Sequence, residues 1–145
     1  MSDQTVSGPR VIRPGVPRAL MLLGVAVGVT VYFVITRSLG VVIEQWRGID
    51  TFTDPSWFAA VAIAPVVSGF VTGAIARHQG KWLAMLPVGL LHPVDYFEAL
   101  QVHRGEMLNF GIFIFLMLVM LELALMAGWI AEILRNRLAG KEVRA

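Results

Sequence analysis

Cysteine is absent from the 145 residues, which excludes disulfides, thiolate metal sites and cysteine nucleophiles. Charge is scarce as well, with 15% of residues Asp, Glu, Lys or Arg against 57% hydrophobic. Catalytic signatures are missing. There is no G-x-S-x-G elbow, no glycine-rich phosphate loop, and no serine set by any readable spacing beside a histidine and a carboxylate. An enzyme reading therefore has no residue to start from. The formal net charge is only +2, and the basic residues sit at the edges of apolar runs. Anionic lipid headgroups would attract them there, and no nucleic acid is needed as a partner.

What is present is a set of long apolar runs. Residues 19–36 and 56–76 carry no charge, and 107–131 carry only Glu122. Each is long enough to cross a hydrocarbon core of about 30 Å at about 1.5 Å per residue. A fourth run, 82–94, is too short to be decided by hydropathy, and charge decides it instead. Four spans place Arg10, Arg13, Arg18, Arg77, Lys81, Arg135, Arg137, Lys141 and Arg144 on one side and only Arg47 and Arg104 on the other. Three spans leave no bias. The positive-inside rule thus predicts four spans with both termini cytoplasmic.

The expected fold is an all-α integral membrane protein, a four-transmembrane-helix bundle whose third helix is short or kinked at Pro87 and Pro93, since each proline removes a backbone donor. The spans are about 19–43, 56–76, 82–100 and 107–134. They follow a flexible cytoplasmic arm, 1–18, and precede a basic cytoplasmic tail, 135–145. The first apolar run exceeds a typical signal-peptide core and no small-x-small cleavage site follows it, so it reads as a retained anchor. Trp46 reads as an interfacial anchor beyond the first span. A duplication of spans 1–2 in spans 3–4 is at most weak.

Small residues supply a packing code. Ala60, Ala64, Ser68, Thr72 and Ala76 recur every four residues, with Gly69-x-x-x-Gly73 beside them. Gly24-x-x-x-Gly28 lies in the first span and Ala124-x-x-x-Gly128 in the fourth. Such spacing lets backbones approach where no hydrophobic effect drives helices together.

Ionisable groups inside a membrane are the default functional candidates, because each is costly unless paired. Counting about 1.5 Å per residue from the cytoplasmic ends puts Tyr32, His92 and Glu122 at about 17–20 Å, near mid-membrane. Arg37, Asp95 and Glu98 fall at about 21–27 Å, toward the outside. Two sites follow: a buried polar network of Glu122, His92 and Tyr32, and an outer ion pair of Arg37 with Asp95 or Glu98. Glu122 has three readings: a carboxyl hydrogen-bonded to His92 or Tyr32 that fixes helix register, a proton or cation relay, or a contact with a partner subunit.

His92, Asp95, Glu98, His103 and Glu106 match no zinc or di-iron spacing, so no metal is expected. Haem would need two imidazoles at one depth, which only His92 occupies. Met107, Met117, Met120 and Met126, with Phe110, Phe113 and Phe115, suit packing against lipid, a pigment or quinone, or a neighbouring protein. No cofactor is expected. The functional expectation is an accessory or scaffolding subunit of a larger complex in the inner membrane. Its partners are the bilayer and other integral membrane subunits or further copies of itself. The alternative is a small oligomeric transporter or channel subunit with a path through His92 and Glu122.

Overall fold

The computed structural model describes residues 18–38, 55–76, 79–102 and 110–142. Among them every element is helical and no strand occurs. Four helices result: α1 (Arg18–Ser38), α2 (55–76), α3 (80–102) and α4 (Phe110–Glu142). The arm 1–17, the expected extension of the first span to 43 with Trp46, the 103–109 loop and residues 143–145 lie outside the described residues. Two helical stretches, Arg18–Ser38 and Phe110–Leu138, are long and apolar enough to cross a membrane, and Ala60–Ala76 is apolar but shorter.

Prolines shape the two middle helices. Pro65 has no N–H for the Val61 carbonyl, and the ladder on its N-terminal side widens into a π-helical stretch, Ala59–Ile63. Pro87 likewise has no N–H for Leu83, and α3 breaks just there: one turn, Gly80–Leu83, is separated from Leu86–Val102 by Ala84 and Met85. The helix resumes with Gly89 N–H donating to the Met85 carbonyl at 2.9 Å. Pro93, the other expected point of kinking, lies inside the continuous helix Leu86–Val102. The break in α3 is thus at Ala84 and Met85, just before Pro87. Gln79 turns the chain into α3 from the left-handed region, φ 57°, and its carbonyl accepts from the Trp82 and Leu83 amides.

The small-residue code sets the helix directions. A methyl group added at Gly28 would fall on the Thr72 hydroxyl and lie 3.2 Å from the Ser68 carbonyl, while one at Gly24 would meet Thr72 and Ala76. Rising numbers on α1 meet falling numbers on α2, so the pair is antiparallel. On its other side α2 meets α4 in parallel: a methyl at Gly69 would lie 2.5 Å from the Ala124 carbonyl oxygen and one at Gly73 2.7 Å from Gly128 Cα. The first turn of α3 closes the same end, with Gly80 against the Gly73 backbone and Ala84 against Gly128. His92 of α3 packs on Phe113 while Ala84 packs on Gly128, so α3 runs antiparallel to α4. The arrangement is up-down-up-down.

The interior holds small and polar residues around a few large ones. Tyr32, Val61, Ala64, Val88, Tyr96, Phe113, Leu116 and Met120 form the core, and Ala60, Ser68, Thr72 and Ala76 are fully buried. Hydroxyls are satisfied inside their own helices: Thr36 donates to the Tyr32 carbonyl at 3.0 Å and Thr72 to the Ser68 carbonyl at 2.8 Å. The exterior carries the large apolar side chains. Leu22 and Phe33, Phe58 and Phe70, Leu90 and Phe97, and Phe115 and Trp129 are exposed on the four helices in turn.

Candidate functional site

Two features stand out against this frame, a buried polar and aromatic layer and a carboxyl on the outside. Tyr32 and Thr36 continue the Gly24, Gly28 period of four along α1, so they share its inward face and are buried. On α3, Val88, His92, Asp95, Tyr96 and Ala99 are buried at helical spacing. The His92 imidazole stacks on the Phe113 ring of α4, centroids 5.4 Å apart and 8° from parallel. Phe113 in turn stacks on Tyr96 at 4.4 Å. Tyr32 belongs to the same buried cluster as Tyr96 and Phe113.

Arg37 at the end of α1 gathers two carboxylates of α3. Its Nη2 donates to Glu98 Oε2 at 2.5 Å and lies 3.6 Å from Asp95 Oδ1. Its guanidinium carbon also sits 5.3 Å from the centre of the Phe33 ring. Asp95 is buried, whereas the Arg37 and Glu98 side chains are 38% and 47% exposed. The cluster therefore joins a desolvated carboxylate to the surface.

Glu122 is not in the buried network. It is exposed, in a groove of about 320 Å³ lined by Met85, Leu118, Leu121, Leu125 and Met126. The reason is angular. Leu116, Met120, Ala124, Ala127 and Ala131 form the buried face of α4, and at about 100° per residue Glu122 lies about 200° from both Met120 and Ala124. Equal depth with His92 fixed its height but not its direction. The expected register lock among Glu122, His92 and Tyr32 thus gives way to His92 and Tyr32 inside and Glu122 outside.

Other contributors carried weaker sequence signals. Arg135, by sequence a basic residue at the cytoplasmic boundary, donates from Nη1 to the Gly73 carbonyl at 3.2 Å. That carbonyl lies in the last turn of α2, where main-chain donors run out. Gly80 and Ala84 complete the glycine seam, and both continue the four-residue spacing that runs from Ala60 to Ala76. Among the described residues no group of three or more His, Asp or Glu side chains is gathered for a metal ion. Comparison with protein-family models, curated proteins and solved structures finds no match.

Proposed function

We propose that the chain is a four-span integral protein of the inner (cytoplasmic) membrane, with both termini cytoplasmic, that serves as an accessory or scaffolding subunit of a larger membrane complex. The inverted distribution of residues supports the membrane setting: glycine, alanine, serine and threonine line the helix seams, and leucine, phenylalanine and tryptophan face out from all four helices. The up-down-up-down course supports four crossings with the ends on one side, the side on which Arg18, Lys81, Arg135 and Arg137 gather.

The observation that carries the subunit reading is Glu122. It lies twelve residues from Phe110 and twelve from Leu134, so about 18 Å from each, at the centre of the bilayer. A carboxyl turned toward hydrocarbon at that depth costs several kcal/mol unless a hydrogen-bonding group meets it. A neighbouring transmembrane helix seated in the groove between Met85 and Met126 supplies such a group and covers the apolar lining. The alternative, an oligomeric transporter or channel subunit with a path through His92 and Glu122, has less support. His92 is buried on α3 against Phe113 whereas Glu122 lies on the exterior of α4, and the interior between helices is closed by backbone contact at Gly73 and Gly128.

Mild extraction from native membranes followed by mass measurement of the intact assembly tests the proposal. The wild-type chain is expected in a larger particle, Glu122→Gln in the same particle, and Glu122→Leu as a released but helical bundle. A wild-type chain found alone, or Glu122→Leu assembled as well as wild type, would overturn it.

A further inference from the structure

A second groove, of about 310 Å³, lies between α1 and α3 at the opposite end of the bundle from Arg37. Met21, Leu22, Val25, Leu83 and Leu86 line it, and Arg18 is its one charged member. Arg18 opens α1, and Val25 lies seven residues farther in, about 10 Å along the helix. The groove is therefore apolar along its depth and cationic at its mouth. The other basic side chains on the helices mostly have partners: Arg37 takes Asp95 and Glu98, Arg135 takes the Gly73 carbonyl, and Lys81 lies over the Trp82 ring. Arg18 is exposed and has no hydrogen bond or ion pair with any described residue.

We infer that this groove is a binding site for one anionic phospholipid, its phosphate on the Arg18 guanidinium and an acyl chain along Leu22, Val25 and Leu86. Charge complementarity selects the occupant. A guanidinium offers paired donors to phosphate oxygens, and with no carboxylate among the described lining residues the lining carries net positive charge, which favours a net-negative headgroup over a zwitterionic one. The five apolar lining residues distinguish the ligand from a soluble anion, which would leave them uncovered. The inference rests on the membrane setting proposed above but not on the partner interface at Glu122, which lies on another face.

The test is native mass spectrometry of the purified full chain in detergent, with phosphatidylglycerol or phosphatidylcholine of the same acyl chains added at equal concentration. One phosphatidylglycerol is expected to be retained per chain, about tenfold in preference to phosphatidylcholine. Arg18→Gln is expected to abolish the preference, and Leu22→Trp, which fills the groove, to lower retention of both lipids. Arg137→Gln removes an exposed charge at the same end that is not among the residues lining this groove, and is expected to change nothing. Equal losses from Arg18→Gln and Arg137→Gln would mean diffuse attraction and overturn the site, as would retention unaffected by Leu22→Trp. Displacement of the lipid by equimolar inorganic phosphate would overturn it too, leaving only an anion contact. A chain that alkaline carbonate strips from native membranes would instead refute the membrane setting itself.

Discussion

Replacing Gly73 by alanine tests the glycine seam that holds α2 to α4, and Gly89→Ala supplies its control. The new methyl at position 73 would stand 2.7 Å from both Cα and O of Gly128. Favourable carbon contacts lie at about 3.5–4.0 Å, so the two backbones must part by about 1 Å. Both partners are backbone atoms, and no side chain can rotate away. The separation also loosens the Gly69–Ala124 contact one turn along. Overpacking of this kind costs about 1–3 kcal/mol. At Gly89 the same methyl meets only Leu121 Cδ2, at 3.9 Å, which is ordinary contact. Both substitutions gain the helix propensity of alanine over glycine, about 0.5–1 kcal/mol, so the difference between them isolates the clash. Gly73→Ala should therefore be less stable than Gly89→Ala by about 1–3 kcal/mol, read from helical ellipticity during dodecyl sulfate titration of detergent-solubilised protein. Equal stability of the two variants would refute the close seam. Gly69→Ala, whose methyl would lie 2.5 Å from the Ala124 oxygen, repeats the test independently.

Truncating the imidazole in His92→Ala removes the stack on Phe113 from a fully buried position and should cost about 2 kcal/mol or more in the same titration, whereas Glu122→Gln should leave the isolated bundle unchanged. Arg37 and Glu98 are both substantially exposed, so a double-mutant cycle of Arg37→Gln with Glu98→Gln should give a coupling of no more than about 1 kcal/mol, and a larger value would mean a desolvated pair. Reporter fusions after Ala145 and after Glu106 should read as cytoplasmic and external respectively, and an external carboxy-terminal reporter would contradict the four-span course.

Much of the helical frame is legible in the residues because length and charge are one-dimensional quantities. The uncharged runs set the helices, and the small-residue pairs at Gly24, Gly28, Gly69, Gly73, Ala124 and Gly128 are the points where backbones meet. Height alone groups Arg37, Asp95 and Glu98, and the structure brings them together because α1 and α3 present them to each other. Height failed for Glu122 because a helix has an azimuth as well. That azimuth was available: once Ala124 and Gly128 are taken as the inward seam, a residue two positions from Ala124 must point away from it. Pro65 was the unused signal for the π-helical turn, and the place of the α3 break follows from Leu83, the residue that Pro87 leaves without a donor. Arg135 could not be assigned from sequence, since its carbonyl partner is 62 residues away.

Photocrosslinking in intact membranes is the most direct test of the lateral interface at Glu122. A photoreactive amino acid at Leu118 or Met126 borders the groove, whereas one at Leu22 or Phe70 lies elsewhere on the apolar exterior. Positions 118 and 126 should give a discrete protein adduct that disappears when Glu122→Leu is combined with the probe, while positions 22 and 70 give lipid adducts only. Lipid adducts alone at 118 and 126, or the same protein adduct from every position, would contradict a partner helix seated on Glu122.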